Sequence, residues 1–435
     1  MNARVAEPSR PWVRILWAIF VAALAIRIGA LIATGRLADP LTWEYEVMAS
    51  NLLAGRGLVY SYLGIEYTSF TGPIFPLWCA LIYTVSDHNR TVAILLLAVL
   101  SAVVAVLAAA WGRRLFQHQA AGWTAGALVA VHPGLVFYST MLHAATLDAL
   151  LFTLVGWAVW RLRERPTWPH RLVTGLVLGV SLLERPILLV FLPCFAVWYL
   201  RVGTRGMSHA LRTILAVVMI AAAVMGPWGV RNYLIHHRVV LMQSTSGLSF
   251  WKGNHPGATG GNFDQAGRPV LSSAPETLTA RLRTATNEFE QDRIFWEEAL
   301  QFVTDHPGDF LELWMRKWAR FWLFVPAPHT PHPGWALALY RGWSVAIWLL
   351  ALLGIWYGRR RGPIHDGLWL ITLFCVSVGF GQCLSYVEGR HRLFVDPLLL
   401  LATSYGLVKS WQTVRARIAR ERVPVGIAHD SRVAP

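Results

Sequence analysis

Charge is scarce in this chain. Of 435 residues only 14% are Asp, Glu, Lys or Arg, against 55% hydrophobic. That balance excludes a soluble globular protein, because several runs of about 17–23 apolar residues are long enough to cross a bilayer as helices. Cysteine is also scarce: Cys79, Cys194, Cys375 and Cys383 all lie in or beside apolar runs and show no metal-ligand spacing, which leaves them as packing residues. Acidic residues are outnumbered, 24 against 39 basic, for a formal charge of +15. The basic residues gather in short loops between apolar runs, so the excess reads as the positive-inside rule and not as a nucleic-acid surface. No internal repeat is visible and the charges sit at segment ends, whereas a transporter would show repeats and ionisable residues at mid-membrane.

What is present is a series of apolar runs near residues 12–33, 72–86, 91–112, 119–139, 144–162, 170–184, 186–201, 209–228, 338–358, 366–384 and 391–410. If 72–86 does not cross, five basic segments fall on the cytoplasmic side together: Arg113-Arg114, Arg161–Arg171, Arg201–Arg212, Arg359–Arg361 and Arg415–Arg422. The expectation is therefore an all-α polytopic bundle of about ten transmembrane helices, or eleven if 72–86 spans, with both termini cytoplasmic. Three parts follow: an N-terminal membrane module, 1–228, with a first exterior loop at 35–90; an exterior loop domain, 229–337; and C-terminal helices with a basic tail, 338–435. The exterior parts together form a cap with too little apolar content to fold alone.

The stretch from Trp43 to Gly57, "WEYEVMASNLLAGRG", places carboxylates just outside the first span. As a helix it puts Tyr45, Met48, Ala49, Leu52 and Leu53 on one face and Glu44, Glu46, Ser50 and Asn51 off it. Asp39-Pro40 reads as its N-cap and Gly55 or Gly57 as its C-terminal cap. The glutamates either solvate a polar face or supply a base where a lipid head group meets water.

Glu44-Tyr45, "NLLAGRG" and "TGPIFPLW" (Thr71–Trp78) resemble the first exterior loop of GT-C glycosyltransferases, and are similar to bacterial members related to protein O-mannosyltransferases and lipid A aminoarabinose transferases. "HPGLVFYST" (His132–Thr140), "LLERP" (Leu182–Pro186), "PWGVRNY" (Pro227–Tyr233), "GLSFWKGNHP" (Gly247–Pro256) and "GRHRLFVDP" (Gly389–Pro397) continue the resemblance in order. It implies an inverting transfer of sugar from a polyprenyl-phosphate donor to a lipid, glycan or protein acceptor at the exterior face of a bacterial inner membrane. A carboxylate would receive the acceptor proton, and cations would meet the charge developing on the leaving phosphate.

The family acid usually stands three or four residues before the tyrosine, where this chain has Leu41 and Thr42. The catalytic candidates are then Glu44 first, with Glu46 and Asp39 behind it, and Asp148 for the second family acid, with a capping role equally open. For the donor phosphate the candidates are Arg231, Lys252, Arg390 and Arg392; each also reads as an interfacial anchor, as does Arg185. Tyr45, His143, Trp251 and Asn254 are the substrate-binding candidates, although the tryptophans read mainly as a membrane-interface belt. No cofactor is assigned. Some relatives use a divalent cation (Mg or Mn), but no Asp-x-Asp pair stands here and no metal ligand is named. A flippase or transporter, a non-catalytic binder of lipid-linked sugars and an O-antigen-ligase-like enzyme are the rival readings; the last leaves the acidic loop after the first span unexplained.

Overall fold

The computed structural model describes residues 10–203, 205–323 and 334–421. Among these, six helices are long and apolar enough to cross a membrane: α1 (Arg10–Ala33), α4 (Arg90–Phe116), α7 (Ala145–Glu164), α10 (Met207–His236), α15 (Gly334–Tyr357) and α16 (Pro363–Leu384). α5 (Gln119–Ala130), α8 (Trp168–Glu184), α9 (Phe191–Val202) and α17 (Asp396–Glu421) complete the bundle. The protein is a predominantly helical integral membrane protein. α1 packs on α4 and α5, α4 on α7, α8 on α7 and α10, and α15 on α17. Lipid tails are as apolar as the helices, so close approach through small residues drives the packing. At the α15–α17 crossing a Cβ on Gly406 would stand 1.9 Å from the Leu350 carbonyl oxygen.

The run at 119–139 is not one helix. α5 ends at Ala130, and α6 (Pro133–Tyr138) starts after a break at His132, because a residue preceding proline is pushed out of the helical region. The last carbonyls of α5 are met by Arg27 of α1, which donates to Ala130 O at 2.8 Å, Val129 O at 3.3 Å and Ser101 Oγ at 2.7 Å. The run at 391–410 likewise begins as a 3-10 turn, Gly389–Phe394, before α17. α3 (Ile74–Ser86) has 13 residues. At about 1.5 Å each it reaches about 20 Å, short of a hydrocarbon core of about 30 Å. It packs on α2 (Glu44–Leu53), α4 and α8.

One end of the bundle gathers Arg113 and Arg114 of α4, Arg161 and Arg163 of α7 and Arg201 of α9. Arg422, the last residue of the basic tail, lies outside the described residues, as do 324–333 of the second loop. At the opposite end sits the cap: α2, the strands β1 (Leu41–Thr42), β2 (Tyr60–Tyr62) and β3 (Ile65–Tyr67), and then α11 (Ser246–Gly253), α12 (Glu276–Thr284), α13 (Glu288–Asp305) and α14 (Pro307–Leu323). It owns a small core of Leu248, Trp251, Val270, Leu278, Leu282, Ile294 and Phe295, more apolar packing than its composition suggests. Tyr62 and Phe70 of the first loop close that core.

α2 differs from expectation at its start and on its polar face. It starts at Glu44, not after Asp39-Pro40, because Leu41 and Thr42 are extended and pair in parallel with β4 (Met141–Leu142). Asp39 is exposed in a turn and caps nothing. Glu46 and Asn51 are buried rather than solvated: Glu46 Oε1 accepts from Arg90 at 2.8 Å, and Asn51 Nδ2 donates to Val59 O at 2.7 Å. Leu53 is instead exposed.

Candidate active site at the mouth of the bundle

The β1–β4 pairing lays the start of α2 beside the segment leading into α7. The His143 ring then meets Trp43, Tyr45 and Tyr138 edge-on at centroid distances of 5.3, 5.5 and 5.9 Å. His143 is buried, and its Nδ1 accepts from the Ala145 amide at 3.0 Å. Burial, then Arg390 and Arg185, hold its pKa well below the ordinary value, so the ring is neutral and Nε2 carries the proton.

Asp148 stands in the first turn of α7, fully buried. It neither caps nor faces water: Oδ2 accepts from Arg185 Nε at 2.9 Å, while Oδ1 has no partner. Arg185 is the extended residue between α8 and Pro186, where the proline forbids a continued helix. Its Nη2 donates to the Tyr45 hydroxyl at 3.2 Å. Burial opposes its charge, but Asp148, Tyr45 and Glu184 outweigh burial and raise its pKa well above the usual value. Glu184, which the sequence reading passed over, accepts the Phe75 amide at 2.9 Å with Oε2 and leaves Oε1 unpartnered. That contact needs the chain before α3 to lie on the Leu183–Glu184 backbone. Gly72 allows it, since a Cβ there would be 2.0 Å from Leu183 O.

A second cation reaches the same space from the 3-10 turn. Arg390 pairs with Glu388 and donates to the Tyr386 hydroxyl at 3.2 Å. Burial works against its charge, and Glu388, Tyr386, Tyr138 and Tyr45 more than compensate. Lys252 of α11 lies over the Tyr386 ring, 5.4 Å from its centre. His391 is buried with Nδ1 accepting from the Glu388 amide; burial and then Arg390 and Arg185 keep it neutral. The Arg185 and Arg390 side chains remain 20% and 23% exposed, so both can still meet a ligand.

Glu44 is half-buried at the head of α2 and makes no hydrogen bond or ion pair among the described residues. It acts electrostatically on Tyr60 and Tyr62. Glu46, by contrast, is spent on Arg90.

The remaining candidates lie elsewhere. Arg231 donates to Thr68 O and Asn232 Oδ1, both at 2.8 Å, and lies over Trp228. Arg392 is 2% exposed, bonded to Asp396 Oδ1 and Trp322 O at 2.8 Å each. Trp251 stacks on His255 inside the cap core, and Asn254 is saturated by Phe250 O, Leu384 O and Lys317 Nζ. Among the described residues no three His, Cys, Asp or Glu side chains converge as a metal site.

An apolar cavity of about 470 Å³ opens between α8, α9 and α10. Leu178, Leu182, Leu189, Leu192, Met225 and Tyr233 are among its lining, and Leu182 and Leu189 flank Arg185 in the chain.

No family model and no curated protein matches this chain. Among solved structures it is similar to ArnT from Cupriavidus metallidurans, in the form bound to undecaprenyl phosphate and in the apo state. Both are 16% identical, and the match covers 96% of this chain and 82% of that one, with TM-scores of 0.41 and 0.40.

Proposed function

We propose that the chain is an inverting GT-C glycosyltransferase that moves a sugar from a polyprenyl-phosphate donor to an envelope acceptor on the exterior face of a bacterial inner membrane. One observation carries the reading: two partly exposed guanidinium groups, Arg185 and Arg390, and an unpaired carboxylate, Glu44, all act electrostatically on the same buried Tyr45. The resemblance of the ordered sequence motifs supports the same chemistry, and the basic residues at the other end of the bundle support the exterior placement.

In this reading the prenyl tail lies along the apolar cavity beside Leu182 and Leu189, and the phosphate meets Arg185 and Arg390 with Lys252 behind them. Arginine suits bidentate phosphate contact, and the two gain strength as charge grows on the leaving oxygen. Asp148 and Tyr45 fix the Arg185 fork. The acceptor oxygen attacks the anomeric carbon from the face opposite the phosphate, the carbon–oxygen bond to phosphate breaks, and the acceptor proton passes to Glu44. Polyprenyl phosphate leaves with the bonding electron pair. Of Glu44, Glu46, Asp148, Glu184 and Glu388, Glu44 alone is neither ion-paired nor fully buried, which suits a base that must exchange its proton with water.

Deletion of the gene tests this. The expected result is accumulation of an undecaprenyl-phosphate sugar and an envelope glycan, lipid or protein lacking that sugar, both reversed by the wild-type chain and not by Glu44→Gln. Unchanged lipid-linked sugars, or full rescue by Glu44→Gln, would instead leave a binder or transporter.

A further inference from the structure

The hairpin β2–β3 has no part in the donor site just described, yet it borders it. Its two-residue turn, Leu63-Gly64, has positive φ at both positions (48° and 81°), the tight turn whose twist matches a hairpin. Tyr60 pairs with Tyr67 and Tyr62 with Ile65, so Tyr60, Tyr62 and Tyr67 share one face. Phe70 packs beneath all three, at centroid distances of 4.7, 5.1 and 5.3 Å. Tyr67 is buried and locks the hairpin to the cap through Gln291 Oε1 at 2.8 Å.

Tyr60 and Tyr62 are treated differently. Both are half-buried, their rings lie within 25° of parallel with centres 6.2 Å apart, and neither hydroxyl has a hydrogen-bond partner among the described residues. Burial and then the Glu44 carboxylate raise the Tyr60 phenol above its ordinary value; Tyr62 is raised by burial and by Tyr60, Tyr386 and Glu44. Tyr386, whose hydroxyl accepts from Arg390 and whose ring lies under Lys252, acts electrostatically on Tyr62. The stacked pair Tyr60–Tyr62 forms a short aromatic strip on β2, which packs on the helix α2 that carries the unpaired carboxylate.

Resting on the glycosyl-transfer reading, we infer that Tyr60 and Tyr62, with Glu44, form the acceptor subsite and that the acceptor is a carbohydrate. Sugar rings carry apolar C–H faces that stack on aromatic rings, and hydroxyls that bond to free phenols and a carboxylate; this strip offers all three. A peptide acceptor bound as an added strand would need an edge to pair with, and strands of three residues offer little. A lipid-chain acceptor would need an apolar slot in place of free hydroxyls. The acceptor hydroxyl bound at Glu44 is then the nucleophile, and the stacked ring sets which hydroxyl that is.

Saturation-transfer NMR on the full-length protein in nanodiscs tests this with two kinds of probe. Undecaprenyl phosphate reports the donor side; a panel of methyl hexosides and short envelope oligosaccharides, beside a Ser/Thr-containing peptide, reports the acceptor side. We expect transfer to at least one saccharide. Y60A/Y62A should weaken it roughly tenfold, Y60F/Y62F should keep most of it, and both should retain undecaprenyl phosphate. The phenylalanine pair keeps the ring packing, so it guards against a folding artefact. If the wild type binds undecaprenyl phosphate but no saccharide, prefers the peptide, or binds saccharide equally well in Y60A/Y62A, the acceptor subsite is wrong while the donor reading stands. Loss of undecaprenyl phosphate binding in the wild type would instead remove the donor reading itself.

Discussion

Arg390 and Arg392 lie two residues apart on the same 3-10 turn and serve two different regions. Arg390 turns into the mouth, shares its charge with Glu388 and a tyrosine hydroxyl, and keeps 23% of its side chain exposed. Arg392 turns into the seam between α14 and α17 and is 2% exposed, with Asp396 and the Trp322 carbonyl as partners. Lys317, where α14 meets α11 and the end of α16, is fully buried, reaching Asn254 Oδ1 at 2.7 Å and Gly253 O at 3.4 Å. The mouth holds cations with capacity to spare, as a ligand site requires. The seam and this junction hold cations whose contacts tie elements together. Burial of a charge is thus not evidence of function; residual access is the better guide.

The sharpest way to break this contrast is to remove a cation from the seam. Arg392→Met leaves Asp396 buried without its guanidinium partner, which should cost about 3–5 kcal/mol of stability. A thermal-unfolding midpoint in detergent equal to the wild type's would show that Arg392 holds nothing together.

Next in size is the mouth's base. Glu44→Gln should lower transfer about a hundredfold or more, with normal insertion, while exposed Asp39→Asn should leave it unchanged. Radiolabelled sugar transfer in isolated membranes separates the two; reversed outcomes would move the base to Asp39.

A smaller effect is a pH slope. Burial lowers the Lys317 pKa to about 7, below its unfolded value. The unfolded chain therefore holds an extra proton between about 7 and the ordinary lysine pKa of about 10.4, and stability should rise across that window as the charge penalty disappears. Lys317→Met should flatten this part of the wild-type curve. An unchanged slope in the variant would assign it to other groups.

The smallest effect is expected of Trp251→Phe, which keeps an aromatic ring in the cap core and should leave transfer unaltered. A substantial loss of transfer would return Trp251 to the substrate site.

The membrane bundle was legible because apolar runs of span length have one physical explanation, and Glu44 was legible because a carboxylate beside a membrane interface asks for a reason. The break before Pro133 was also readable from the proline rule, yet the unbroken apolar run at 119–139 masked it. Other features depend on partners far along the chain. Nothing near Glu46 announces Arg90, 44 residues on, and a two-residue pairing of Leu41–Thr42 with Met141–Leu142 has no periodicity to detect. The different fates of Arg390 and Arg392 are tertiary in the same way, since their local sequence treats them alike. Arg185 was visible but could not be ranked until Asp148 and Tyr45 appeared around it.

The most direct measurement is a titration of undecaprenyl phosphate into the full-length protein in nanodiscs, followed by phosphorus NMR. The wild type is compared with Arg390→Gln, Arg185→Gln and Arg231→Gln. We expect the first two substitutions to weaken binding roughly tenfold or more each, as loss of a charge-assisted phosphate contact should. Arg231→Gln, at a side chain occupied by Thr68 O and Asn232 Oδ1, should stay close to wild type. Tight binding in Arg390→Gln and Arg185→Gln, with loss in Arg231→Gln, would contradict this and move the phosphate site to the exterior end of α10.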